Sequence, residues 1–422
     1  MNLHHPITVR PSFFSLRVMG LFAAVSLGCD DGGDGSPRGG GGEGLAILNS
    51  DYKSTSISLA SAEDGALVQD DCIHSGTTAP ALSLALSGDV TLPSDPQPHH
   101  ELLLIDRTTA ALTWVDPKTC MPLRQLTVGT GFRANPHDVA ALSATKAYVT
   151  RFERNERPTA DLADMDEGND VLVIDPSVPA ILKRIDLAPY ATQGPAGAPA
   201  LQARPDRALI VGSKLYVALA NLSGDFMAAG EGRLVVIDTA TDAVTGTIDL
   251  PGLKGCSAFV HRPAEKALLV ACGGSFSDGA MQAAGSGIAR IDLASAQAKV
   301  VKTMPVAALG GRALSSSALG MLSERSGLAI TFGEFMGPPP DQLWLFDMAG
   351  DTATKLLDAS AGFVLGSIVT DLERKRVFVA DADMTAPRVH VLHAAAADSV
   401  ELASSFESNP ARGLPPREIA WY

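Results

Sequence analysis

Repetition constrains this chain more than any other feature. The stretch GRLVVIDTATDAVTGTIDLPG (Gly232 to Gly252) is echoed by NDVLVIDPSVPAILKRIDLAP from Asn169, SGIARIDLASAQAKVVKTMPV from Ser286 and AALTWVDPKTCMPLRQLTVG from Ala110. Aligned on the VID-like core, these phrases put Asp116, Asp175, Asp238, Asp292 and Asp347 in one register, with His393 where a sixth aspartate would stand. The spacing runs from 46 residues (Asp347 to His393) to 63 (Asp175 to Asp238), a period that belongs to stacked or radial repeats. Upstream of the cores lies a second short run: KAYVT at Lys146, KLYVA at Lys214, KALLV at Lys266, GLAIT at Gly327 and RVFVA at Arg376. A third run precedes that one, clearest in NPHDVAAL from Asn135, and a fourth follows the core, as in VTGTIDL from Val244. Period-two alternation between turn signals predicts strands, four to a unit.

A four-stranded unit of this size cannot bury both faces alone, so units must stack, and radial closure is the common solution. Six cores are clear, and TSISLASAEDGALVQDD from Thr55 supplies an earlier one in which Ala-Ser replaces Ile-Asp. LPPREIAWY (Leu414 to Tyr422) reads as the first strand of a unit with nothing after it. GLAILNSD (Gly44 to Asp51) reads as a second strand with nothing before it. The expectation is an all-β, seven-bladed β-propeller of four-stranded blades over residues 45–422, closed by pairing the N- and C-terminal strands in one blade. AYVT (Ala147 to Thr150) and VIDTATDAVTGTIDLPG (Val236 to Gly252) resemble the YVTN (YncE-like) family of seven-bladed propellers. The resemblance covers most of residues 100–400 and implies the fold and an extracytoplasmic habit. It carries no catalytic set, since related propellers include lactonases, amine-dehydrogenase heavy chains and haem-binding domains.

Residues 1–28 read as a secretory signal, with Arg10 and Arg17 ahead of the apolar run VMGLFAAVSLG (Val18 to Gly28). The junction SLGC resembles a bacterial lipobox and makes Cys29 the candidate lipidation site, although Ser26 stands where the usual leucine would be. An ordinary cleaved signal is the alternative. Residues 29–44, mostly DDGGDGSPRGGGGEG, form an acidic Gly-rich linker that cannot bury a core. The expected location is the cell envelope, with the chain lipid-anchored on the extracytoplasmic side (periplasm or cell surface). Losing Arg10 and Arg17 with the signal would deepen the net charge from −14 to −16, which makes nucleic acid an unfavourable partner. No internal stretch approaches the roughly 18 apolar residues of a membrane helix.

Cys256 and Cys272 flank a hairpin whose midpoint falls in the turn RPAEK, so they should face each other across the ladder and form a disulfide. Cys72 and Cys120 are left to pair by elimination. Their strand positions put one near one rim and the other at the opposite turn, which argues against a bridge.

Long segments between second and third strands gather on one rim: RFERNERPTADLADMDEGN from Arg151, ANLSGDFMAAGEG from Ala220, CGGSFSDGAMQAAGSG from Cys272 and FGEFMGPPPDQ from Phe332. The opposite rim has tight turns such as DTATD and DPKTC, apart from SGDVTLPSDPQPHH. Loops on a rigid scaffold carry binding. At the long-loop rim the inner strands begin with His137, Asp138, Asp206, Arg207, Ser257, Ser367, Arg417 and Glu418, and Arg133, Arg204, Arg312 and Arg412 lie in the loops leading to them. These are the ligand-binding candidates; a hydrated, salt-bridged channel entrance is the plain alternative. Asp161, Asp164, Asp166 and Asp170 supply oxygens for Ca²⁺, but Gly168 breaks the EF-hand pattern, and a solvated acidic loop is the ordinary reading. Neither His99-His100 nor His390/His393 makes a zinc pattern, and no G-x-S-x-G elbow or P-loop occurs. The function expected is therefore a monomeric, non-enzymatic binding or scaffold propeller that holds a protein, peptide or glycan on its long-loop face. Two alternatives stand beside it: a lactonase-like hydrolase or lyase using His137, Asp138 and Glu418 at the channel mouth, and a metal- or cofactor-binding propeller.

Overall fold

The computed structural model describes residues 44–262, 266–275, 279–295, 297–335 and 337–422. The signal, Cys29 and the linker up to residue 43 lie outside the described residues. Seven four-stranded antiparallel sheets stand in a ring. Blades 1 to 6 are meanders spanning 90–127, 136–186, 205–250, 256–305, 314–358 and 365–406. Blade 7 takes its inner strand from the C-terminus, Pro416–Trp421, and its other three from the N-terminal part: Gly44–Ser50, Thr55–Ser61 and Leu67–His74. Leu45 pairs with Trp421 and Ile47 with Ile419, so the ring is shut by main-chain hydrogen bonds as the two incomplete units predict. Among the described residues no helix is long and apolar enough to cross a membrane.

Burial explains the repeated phrase. The second and third strands of a blade are covered on both faces by neighbouring blades, so they read as continuous apolar runs. Lys214–Leu219 and Gly232–Asp238 are buried along almost their whole length, while the outer strand Ala243–Leu250 is mostly exposed. The core consequently lies between blades: Val171 and Val173 of blade 2 pack with Leu215, Val217, Val235 and Ile237 of blade 3. The recurrent aspartate closes the turn between third and fourth strands. Asp238 accepts hydrogen bonds from the amides of Ala240 and Thr241 and from the Thr241 hydroxyl. Asp116, Asp175, Asp292 and Asp347 repeat the device. These bonds hold the carboxyls of Asp116, Asp175, Asp238 and Asp347 below the ordinary aspartate value.

Cys256 and Cys272 are direct partners in the ladder of blade 4 and are disulfide-bonded, as their spacing predicts. Cys72 and Cys120 are also bridged, with Cα atoms 5.1 Å apart, and this corrects the expectation drawn from strand positions. A flat strand map ignores the right-handed twist that accumulates from inner to outer edge of each blade. Twist swings the outer strand Leu67–His74 of blade 7 onto blade 1, where Cys72 and Cys120 share one apolar cluster with Ile73 and Leu102.

Candidate binding face and channel mouth

The inner strands are irregular at the rim where the ligand candidates lie. Pro136 pairs with Arg151 and Asp138 with Thr150, leaving His137 as an extra residue. The ladder likewise skips Asp206 and Arg207, Ser257 and Ala258, Gly366 and Ser367, and Arg417. Bulges re-aim side chains, and here they turn most of the candidates toward neighbouring blades, Arg417 excepted. In blade 6 only glycine fits the bulge, because a Cβ on Gly366 would lie 2.0 Å from the Arg417 carbonyl oxygen of blade 7.

Most of the candidates form one network. The buried Asp138 carboxylate accepts the Ser94 amide (2.9 Å) and hydroxyl (2.7 Å) from blade 1 and the Ala208 amide (2.9 Å) from blade 3. Glu418 of blade 7 accepts the Thr91 hydroxyl and the Leu92 amide of blade 1. The Ser367 hydroxyl accepts the Ile419 amide at 2.6 Å, joining blades 6 and 7. Arg207 reaches from blade 3 and donates to the Leu92 carbonyl, the Thr91 hydroxyl and the His137 carbonyl. Its guanidinium stands 3.8 Å from both Asp138 and Glu418. Burial opposes that charge, but Glu418, Asp138 and Asp206 outweigh burial and raise its pKa. The Asp138 and Glu418 carboxylates thus bind blade to blade.

His137 and Asp206 differ from the rest. Nδ1 of His137 lies 2.8 Å from Asp206 Oδ1, and Ser257 also hydrogen-bonds Asp206. Burial works against ionisation of Asp206, but the charge and hydrogen bond of His137, with help from Arg207 and Ser257, hold its carboxyl below the ordinary value. An ionised carboxylate only accepts, so it directs the proton of a neutral His137 to Nδ1 and leaves Nε2 with its lone pair. The His137 ring stacks on Phe152 at 4.1 Å. Arg204, buried with a positive φ of 49°, lies over Phe152 and Phe226 at 5.1 and 4.1 Å and pairs with Glu153.

The remaining candidates are dispersed. Arg417 donates to the Ser50 carbonyl and lies over the Tyr52 ring. Arg312 donates to the Pro340 carbonyl, Arg412 is paired with Asp71, and Arg133 is exposed. Asp170 is buried in a bidentate pair with Arg151 and also binds Arg184, whereas Asp161, Asp164 and Asp166 serve loop amides and hydroxyls. No three His, Cys, Asp or Glu side chains among the described residues are gathered so as to hold a metal ion. His390 is buried against Asp381, while His393 is exposed.

Sequence reasoning missed the apolar character of the long-loop rim. Among the described residues every exposed Phe or Tyr lies on it: Tyr52, Phe226, Phe335 and Phe363. With Leu162, Met227 and Met384 they range from 39% to 78% exposed. The opposite rim offers Leu142, Val178 and Leu372. A signal was present, for an acid stands immediately before the exposed apolar residue in five loops: Asp51-Tyr52, Asp161-Leu162, Asp225-Phe226, Glu334-Phe335 and Asp383-Met384. In four of them the Asp carboxylate accepts an amide two residues on, which folds the chain sharply and leaves the intervening residue at the tip.

No family model matches this chain, and no curated protein is similar to it. Solved structures are. A hypothetical selenium-binding protein from Sulfolobus tokodaii is 10% identical, with 90% of this chain and 93% of that one covered and a TM-score of 0.58. A putative 6-phosphogluconolactonase from Bacteroides uniformis is 14% identical (90% and 99% covered, TM-score 0.56). The periplasmic gluconolactonase of Pseudomonas aeruginosa is 12% identical (89% and 98% covered, TM-score 0.52). At these identities what the chain shares with them is the propeller fold.

Proposed function

We propose that this chain is a binding or scaffold propeller whose long-loop face holds a protein or peptide. One observation carries the reading: the exposed aromatic side chains collect on that rim, while the channel-mouth acids Asp138 and Glu418 are already spent on neighbouring blades. Exposed apolar patches on a soluble surface mark interaction sites. A glycan would find the same aromatic platforms. The reading includes an extracytoplasmic, YVTN-like lipoprotein anchored through Cys29 behind the linker at 29–44. Two disulfides support the oxidising compartment that this requires.

The experiment is affinity capture from native membranes with residues 45–422, beside a bait whose loops 156–166 and 224–227 are cut to tight turns. The expected result is a partner held by the intact bait and lost by the trimmed one. Equal yield from both, or no partner, overturns the proposal.

The His137–Asp206 pair favours a second reading, a hydrolase or lyase of the lactonase kind. A histidine oriented by a carboxylate, with Nε2 available, suits general-base work. Hydrolysis of gluconolactone by the full chain, abolished in a folded His137→Asn variant, would establish it.

A further inference from the structure

The five loop tips pair charge with apolar surface in a fixed order, and two of the aromatic groups are already ordered. In blades 5 and 6 Phe332 stacks on Phe363 at 4.7 Å, and Phe335 meets Phe363 edge-on at 5.9 Å. In blades 2 and 3 Phe152 and Phe226 lie nearly parallel at 6.5 Å, with Arg204 against both. In a seven-fold ring these two groups stand on nearly opposite sides of the mouth. Rings held in place before contact lose little rotamer freedom on binding.

Charge states what a partner must carry. Among the described residues none of the tip acids Asp51, Asp161, Asp225, Glu334 and Asp383 is in an ion pair. The nearby arginines are engaged elsewhere: Arg204 by Glu153, Arg107 by Asp89 and Arg412 by Asp71. Lys53, Arg154 and Arg157 are exposed bases on the same loops, and Arg417 lies over Tyr52, so the five tip acids still outnumber the bases beside them. Turn hydrogen bonds lower the carboxyl pKa values of Asp51 and Asp225. The Ser360 hydroxyl and the turn beyond it bring Asp383 down to about 2. Those three tips therefore stay anionic in mild acid.

Resting on the binding-module reading, we propose that the long-loop face docks a cationic amphipathic segment of a partner protein. Its apolar side chains would seat on the aromatic tips, and its lysines or arginines would lie beside the preceding acids. The anionic tips repel anionic lipid and nucleic acid. Lysine or arginine near the Phe rings adds a cation–π contribution.

The test uses the full chain and fluorescence anisotropy with a labelled peptide of leucine and lysine patterned as an amphipathic helix. A leucine–glutamate and a lysine–serine peptide of the same pattern serve as comparisons. One variant removes charge and keeps the turns, because Asn still accepts the amides: Asp51→Asn, Asp161→Asn, Asp225→Asn, Glu334→Gln and Asp383→Asn. A second removes the apolar tips: Phe226→Ser, Phe335→Ser and Met384→Ser. Circular dichroism and thermal melting check that both fold. The Leu/Lys peptide should bind more weakly as salt rises, and each variant should weaken it at least about tenfold. The charge variant should also lose the salt dependence.

No binding of the Leu/Lys peptide, or equal binding of the Lys/Ser peptide, overturns the inference. Loss in the apolar variant alone overturns the cationic partner and leaves a binding face. Loss in neither variant sinks both readings. Self-association of the chain in sedimentation, removed by Phe335→Ser, would name a second copy as the occupant and overturn the proposal.

Discussion

Asp138 shows how much one residue does at the channel mouth. Its buried carboxylate accepts from Ser94, Val139 and Ala208 and so spans three blades. Removing it leaves buried amides without partners, each costing on the order of 1–3 kcal/mol. Asp138→Ala should therefore lower stability by about 3 kcal/mol in urea unfolding, against about 1 kcal/mol for Ser367→Ala, which loses one such bond. Unchanged stability in Asp138→Ala would mean that the carboxylate serves a ligand. The candidates were legible as residue types at strand starts. Their roles were not, because each bulge, at His137 and at Asp206–Arg207 opposite Ala218, inserts one extra residue and so reverses which side chain faces the channel.

Among the elements, the turn closed by the recurrent aspartate carries a pH dependence. The folded carboxyl pKa values of Asp175 and Asp238 lie below the ordinary 3.8. Their contribution is present above that value and is lost as pH falls through the lower folded value. The thermal midpoint should drop as pH falls below about 4, and less steeply in the double variant Asp175→Asn, Asp238→Asn, whose amides accept the same bonds without titrating. A parallel fall in both proteins would locate acid sensitivity elsewhere. The turns themselves could be read from the sequence, since Asp opens each one locally. In blade 6 His393 stands at that register, and the third strand runs on to Ala396.

Across the whole molecule, polar straps cross every gap between blades. Ser94–Asp138, Asp138–Ala208, Asp206–Ser257, Ser286–Leu314, Asp341–Leu365, Ser367–Ile419 and Glu418–Leu92 complete the circuit. Blade 7 depends on the C-terminal strand, and the Cys72–Cys120 bridge ties that blade to blade 1. Deleting residues 414–422 would expose Gly44–Ser50 as an unpaired edge and remove two straps. The deletion should abolish cooperative urea unfolding and drive self-association through the open edge, seen by sedimentation. A stable monomer with an unaltered transition would show that closure adds little.

The sequence by itself determined the strand count, the seven blades, their closure from both termini, the Cys256–Cys272 bridge and the rim with long loops. Each of these follows from local periodicity or spacing, which repeats along the chain. Only the tertiary structure decided that Arg207 fills the mouth between Asp138 and Glu418, that Cys72 meets Cys120, and that Phe332 of blade 5 stacks on Phe363 ahead of blade 6. Those outcomes depend on bulges, blade twist and ring closure, which bring together residues as distant as Thr91 and Glu418, and no local pattern encodes them.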